Sequence, residues 1–332
     1  MNTTKLLNIF SFTFLLSIYS CSSSGLVETR VNDSIGKVKA NENQINLITY
    51  NIQDVFGKGK EKLDALTNYF NREDYDFVLL QELFNEGTRE YVLSKIDTGK
   101  YKYIIPRIDY DSFPEFIFND AGLFYMSRFP TIDLSQIEFE NGIENKGNVI
   151  HKLLKKEISF STDFLANKSI AGSLFQINDS TKLFLCSTHV QAIGSKHQKG
   201  YQLRQIRKFI EQSVHKFLSS NIVGSSENLA VILAGDFNSD AYNEEKLEMF
   251  QTYLGNPRDM HSEFNIDKEE YTFKLRFLNR QLRFDYILAY DELLKIPLKK
   301  VDVQEINATD IQDKNGESIS DHLALKAKLI LE

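Results

Sequence analysis

The stretch LAVILAGDFNSD, residues 229 to 240, holds an apolar run that stops at Gly235 and is followed at once by Asp236, Asn238 and Asp240. The run is short and bounded by a turn signal, so it predicts a strand buried on both faces. Asp236 and Asn238 are two apart and point the same way on an extended chain. A carboxylate and an amide aimed together from a strand end can hold one water or one phosphate oxygen. Alone, the stretch is equally a strand end running into an Asx-turn. The pattern recurs, however. INLITYN ends at Asn51, YDFVLLQE ends at Glu82, KLFLCSTH ends at His189, RFDYILAY carries Asp285, and ISDHLALKAKLIL is entered through Asp321 and His322. Any one of these is most often a turn residue; the whole set has complementary chemistry. Hard oxygen ligands without a Cys–His cluster suit Mg²⁺, or another hard cation such as Mn²⁺ or Co²⁺, rather than structural zinc. Such a cation polarises a phosphoryl oxygen. Two histidines suit general acid–base work near neutral pH, and a carboxylate partner for His322 would fix its tautomer.

Strands must deliver these groups, and helices must cover the strands. KGKEKLDALTNYFNRED puts Leu63, Leu66 and Phe70 at helical spacing, and EGTREYVLSKI reads as a short helix with Leu93 and Ile96 on one face. HQKGYQLRQIRKFIEQSVHKFL gives the strongest helical pattern, through Leu203, Ile206, Ile210, Val214 and Phe217. YNEEKLEMFQTYLG gives another, with Leu247, Phe250 and Leu254 on one face and Gly255 as its stop. YKYIIP, DAGLFYMSRFP and IAGSLFQI read as strands, and the polar region 130–168 reads as long loops. No repeat or internal linker interrupts the order. Strands alternating with amphipathic helices predict an α+β domain of two packed sheets covered by helices.

The 332 residues carry a net charge of −7, which argues against a partner held by a broad basic surface, nucleic acid above all. A small site built around a metal ion stays open, and the expected state is a monomer. Residues 1–20 hold Lys5 and then an apolar run too short and too polar for a membrane span, which is the pattern of an export signal. The run ends in SIYSC, which resembles the lipobox of bacterial lipoproteins, although Tyr19 is bulkier than that motif prefers. The resemblance implies cleavage before Cys21 and lipidation of its thiol; the alternative is an ordinary secretory signal. The expectation is an exported protein, anchored through Cys21 or secreted. Residues 21–44 are Ser-, Asn- and Lys-rich and read as a flexible tether, so the catalytic domain is expected over 45–332. Cys186 lies in an apolar strand pattern and reads as a buried thiol.

The ordered set YN, QE, TH, GDFN, DY and SDH resembles the endonuclease/exonuclease/phosphatase superfamily of metal-dependent phosphoesterases over residues 45–332. The resemblance implies a four-layer α/β/β/α sandwich of two mixed sheets. It also implies roles. Glu82 is the metal ligand and Asn51 its neighbour at metal or phosphate. Asp236 orients or deprotonates the attacking water, and Asn238 holds phosphate or that water. His322, held by Asp285, binds a phosphate oxygen or acts as base; Asp321 assists at metal and water; His189 stabilises or protonates the leaving group. Within the superfamily, LLQELF, STHVQA and DFLANKS resemble segments of neutral sphingomyelinases, with Asn85 and Ser169 departing from the pattern. That branch implies Phe84, Asp163 and Lys168 near the substrate, and a sphingolipid or phospholipid at a membrane surface as that substrate. A secreted nuclease of the same superfamily is the alternative.

Overall fold

In the computed structural model, the described residues are 30–31, 43–54, 57–109, 120–156, 166–266, 268–275 and 280–332. Cys21, Asp163, the export signal and nearly all of the expected tether lie outside them. Two seven-stranded sheets form the body. In the first, the spatial order is Arg30–Val31, Tyr103–Ile105, Phe124–Ser127, Phe77–Gln81, Gln44–Asn51, Ala324–Leu331 and Val301–Thr309. In the second it is Arg258–Asp259, Asp285–Tyr290, Leu229–Asp236, Lys182–His189, Ser169–Gln176, Ile150–Leu153 and Glu144–Asn145. Each sheet has one parallel pair at its centre, Gln44–Asn51 with Phe77–Gln81 and Lys182–His189 with Leu229–Asp236, among antiparallel neighbours.

Alternation along the strands sorts their side chains into layers. Ile45, Leu47, Phe77 and Leu79 of the first sheet meet Leu183, Leu185, Ile232 and Ile287 of the second in the central core. The opposite face of the first sheet, through Ile48, Val78 and Leu80, packs under helices α1 (Lys60–Arg72) and α2 (Glu86–Lys95), which contribute Leu66, Phe70 and Val92. The opposite face of the second sheet, through Phe184, Val231 and Leu288, packs under α3 (Lys196–Ser219) and α4 (Glu244–Leu254), which contribute Ile206, Phe209, Phe250 and Leu254. The result is the four-layer sandwich. No helix among the described residues is long and apolar enough to cross a membrane.

Three local readings change. α2 turns Val92 fully inward beside Ile96, and Leu93 packs at the margin, because the helix lies with its Thr88–Val92 stripe on the sheet. The 130–168 region is not all loop: Glu144–Asn145 and Ile150–Leu153 form a hairpin on the sheet edge, and Leu134, Ile137 and Ile143 join the core. Its apolar residues are spaced by polar ones that stay at an edge, so no run shows in the sequence. Val301–Thr309 is a strand that the sequence pattern hides, because it is an edge strand whose alternation is broken by a bulge between Val303 and Glu305.

Candidate active site

Register builds the site. In the second sheet, Leu153 lies opposite Ser169, Ser169 opposite His189, His189 opposite Asp236, and Asp236 opposite Asp285. Residues directly opposed across strands share a face, so one row across five strands carries His189, Asp236 and Asp285 toward the first sheet. There, Asn51 is in register with Gln81, and Glu82 follows it. Gly235 makes the row possible: its φ is +137°, and a Cβ on it would sit 2.1 Å from the Thr188 carbonyl oxygen.

The backbone is strained where the chemistry is. Glu82 has φ +58°, Asn238 φ +49° and Gln53 φ +51°. Asn tolerates this region; Glu and Gln do so at a cost of about 1–3 kcal/mol, a kind of strain that gathers at functional sites. Behind Glu82, Gly122 lets the Phe84 ring approach so closely that a Cβ there would lie 2.8 Å from it.

Asn51 ties the two sheets together. Its Nδ2 donates to Glu82 Oε1 at 3.0 Å and to Asp236 Oδ2 at 2.9 Å, while its Oδ1 accepts from the Gln53 backbone N–H at 2.9 Å. His322 Nδ1 lies 2.8 Å from Asp285 Oδ2, and its Nε2 lies 3.7 Å from Asp236 Oδ2. Asp285 therefore holds the imidazole, as expected. His189 Nε2 is 3.4 Å from Glu82 Oε1 and 3.7 Å from Asp236 Oδ2. Lys168 Nζ lies 3.4 Å from the same ring nitrogen. Asn238 folds back: its N–H donates to Asp236 Oδ1 at 2.8 Å, and its Nδ2 donates to the Val190 carbonyl at 3.0 Å. Asp321 Oδ2 accepts from Gln53 Nε2 at 2.8 Å, and Ser320 Oγ donates to the Asn51 carbonyl at 2.8 Å.

Most of these groups are buried, and burial sets their charge states. It pushes the Asp236 carboxyl up to about 7, with His322 opposing the rise and Asp285 adding to it. Burial alone would lower the His322 imidazole, but Asp285 and Asp236 outweigh it and hold it up at about 10. His189 is held well below its ordinary value by burial and then by Lys168 and His322. A neutral His189 can serve as a ligand or stabilise a leaving group.

The residues present fit a hard divalent cation. Glu82, His189 and Asp236 bring one ligand atom each to a common point, all within 4.8 Å of one another. The Asn51 amino group, wedged between two of these carboxylates, marks where positive charge is called for. An ion there would also keep Asp236 ionised at neutral pH.

Sequence reasoning missed the groups that hold these in place. Gln53 ties Asn51 to Asp321. Lys58 Nζ donates to the Ile319 carbonyl at 2.8 Å, fastening the turn that carries Asp321 and His322. Thr272 Oγ1 accepts the N–H of Asp285 at 3.1 Å, and the Phe273 ring lies 4.9 Å from the His322 ring. Gln53 and Lys58 lie past a strand end, where the run QDVFGKGK was the available signal; Thr272 and Phe273 lie at the start of the short strand Phe273–Leu275.

The model of the Endonuclease/Exonuclease/phosphatase family matches residues 48–322. The chain belongs to that family. It has the family's phosphoesterase fold, and solved structures agree. A beta toxin from Staphylococcus aureus superposes with TM-score 0.57 at 16% identity, over 85% of this chain and 99% of that one. Sphingomyelinase C from Streptomyces griseocarneus gives 0.56 at 17% identity, over 86% and 99%. D. rerio TDP2 complexed with a single-strand DNA product gives 0.54 at 16% identity, over 86% and 98%. At these identities the likeness is one of fold. A further beta toxin structure in the same group holds bound magnesium ions. Among curated proteins, an uncharacterized protein of Dictyostelium discoideum is 26% identical over 188 residues, 52% of this chain. The chain spans 14% of the length of that relative.

Proposed function

We propose that this chain is a Mg²⁺-dependent phosphodiesterase that hydrolyses sphingomyelin to ceramide and phosphocholine. Mn²⁺ or Co²⁺ would serve the same oxygen-rich ligands. The observation that carries a phosphodiesterase is the convergence of Glu82, His189 and Asp236 beside the Asp285–His322 pair. The sphingomyelin assignment draws on LLQELF, STHVQA and the Lys168 segment, and on two neighbours whose names are beta toxin and sphingomyelinase C.

When bound, a divalent cation would polarise the phosphoryl oxygen and offset the charge that develops on it. Glu82, Asp236 and His189 would hold it. The chain's own residues do the rest. Asp236, buried in the row between His189 and Asp285, accepts the proton of the attacking water. As the water oxygen bonds to phosphorus, the bond from phosphorus to the ceramide oxygen breaks on the opposite side, and that oxygen leaves as a hydroxyl after taking a proton from solvent water. His322, kept cationic by Asp285, donates from Nε2 to a phosphoryl oxygen and fixes its position.

Sphingomyelin micelles with Mg²⁺ test the proposal. Phosphocholine should be released, and Glu82→Ala should remove the release. Release that stays at the level of that variant overturns the sphingomyelin reading. The TDP2–DNA neighbour favours a second reading, a nuclease, which cleavage of single-stranded oligonucleotide under the same conditions would bring forward. We further propose that Cys21 is lipidated and anchors the exported chain; mass spectrometry of the mature N-terminus finding an unmodified Cys21 would remove the anchor.

A further inference from the structure

The catalytic row does not end in polar residues. Beyond His189 and Ser169 its last member is Leu153, on the same face by register and 44% exposed. Two interstrand spacings put it ~10 Å from His189 along the row. After His189 the chain passes through Val190 and Gln191 and then an exposed loop, 192–195, in which Ile193 is 57% exposed. One side chain couples the two places. Gln202 of α3 accepts the Gln191 N–H through Oε1 at 3.1 Å and donates to the Lys155 carbonyl through Nε2 at 2.9 Å. The two exposed aliphatic side chains thus stand on segments clamped together at the catalytic end of the second sheet.

Cations share their segments. Lys155 and Lys156 follow Leu153 in the chain, and Lys196 opens α3 three residues after Ile193. Glu245 pairs with Lys196, so this rim is not wholly basic. It still gathers positive charge in a chain whose net charge is −7. Exposed aliphatics on segments that also carry lysines match the chemistry of an anionic lipid surface: the side chains enter the acyl boundary while the ammonium groups meet headgroup phosphates.

We infer that Leu153 and Ile193, with Lys155 and Lys196 on the same segments, seat the enzyme on a membrane carrying anionic lipids, with the catalytic end of the second sheet toward the bilayer. The inference rests on the lipid-substrate reading and deepens it. An anchor at Cys21 would bring the chain to the membrane; this rim would orient it.

Cosedimentation with vesicles tests the seat. The full chain carrying Cys21→Ser is mixed, in EDTA, with vesicles of phosphatidylcholine alone or of phosphatidylcholine mixed with phosphatidylserine. EDTA separates binding from turnover. Binding should favour the mixed vesicles and weaken as salt rises. Lys155→Glu with Lys196→Glu should lower the partition by ~25-fold or more, at about fivefold per lysine removed from the surface. Ile193→Ser, on an exposed loop, should lower it several-fold on its own. All variants should hydrolyse the soluble diester bis(p-nitrophenyl) phosphate, with Mg²⁺ restored, at the parental rate. Equal partition of parent and variants, or no preference for anionic vesicles, overturns the seat. If single-stranded oligonucleotide displaces the chain from vesicles and its own binding falls in the lysine variants, the surface belongs to nucleic acid and the lipid seat is overturned. Vesicle binding without phosphocholine release from micelles would leave the seat standing and sink the substrate assignment; the reverse result would do the opposite.

Discussion

Two buried polar clusters lie within a few residues of each other, and they are built on opposite principles. Arg283 and Asp259 are nearly inaccessible and pair through two contacts, 3.2 Å and 2.5 Å. The same Asp259 caps α5 (Met260–Phe264) by accepting the His261 N–H, and Arg283 also reaches Ser262 and lies 4.5 Å from the centroid of the Tyr286 ring. Arg283 overcomes the burial of Asp259 and holds its carboxyl below the ordinary range. Two residues further along the chain, Asp285 begins the other cluster. There a carboxyl sits up at about 7, an imidazole is forced toward neutrality, and Asp285 Oδ1 has no hydrogen-bond partner. The first cluster is neutralised from within the chain. The second is left short of positive charge, which is the deficit the proposed cation would make good. A fold can keep such a deficit because the neighbouring structure is over-determined.

Breaking each side should give different readouts. Asp236→Asn should lower kcat by ~10²–10⁴-fold while leaving the urea midpoint unchanged or raised, since the buried carboxylate is gone. A large loss of stability instead would place Asp236 with the structural cluster. Arg283→Met strands Asp259 in the interior and should cost about 3–5 kcal/mol in urea unfolding, and adding Asp259→Asn should recover part of it. Added Mg²⁺ should raise the melting temperature of the parent, by the equivalent of about 2.7 kcal/mol at a hundred times its Kd, and should leave Glu82→Ala unmoved. An equal rise in both would sever the link between the acidic cluster and the ion.

The smallest effect is a difference in pH slope, measured as the urea midpoint in EDTA. Asp236 has its folded value raised from 3.8 to about 7, so the stability tied to its protonated form is full below 3.8 and is lost as pH climbs toward 7. Asp259 is depressed, so its contribution is full above 3.8 and is lost as pH falls below that through its folded value. Asp236→Asn should therefore flatten the slope between about pH 4 and 7, and Asp259→Asn should act below that window. Matching slopes for parent and Asp236→Asn would mean that burial does not govern the carboxyl.

Much of the site was legible because each chemical group ends or opens a local pattern. An apolar run stopping at Gly235 or Gln81 announces a strand, and the residue after it is where a strand can offer a side chain. Asn51, Glu82, His189 and Asp236 were readable that way, Asp285, Asp321 and His322 from the opening of a run, and the structure brings them together. Gln53, Lys58 and Thr272 were not, because their work is to hold another residue's backbone or side chain, and such a partner is named by contact alone. The Val301–Thr309 strand was hidden by its bulge, and the 144–153 hairpin by its mixed composition.

Residue types and strand ends, and hence the class of chemistry, were determined by the sequence itself, since buried strands demand apolar runs whatever they pack against. Register was not. Only the folded sheets decide that His189 faces Asp236 and Asp285 in one row, that Asn51 reaches across to Asp236, and that Leu153 closes the row at an exposed edge. Those pairings join positions far apart in the chain, and their energies come from burial and from charges meeting in a low-dielectric interior, quantities that exist once the two sheets have packed.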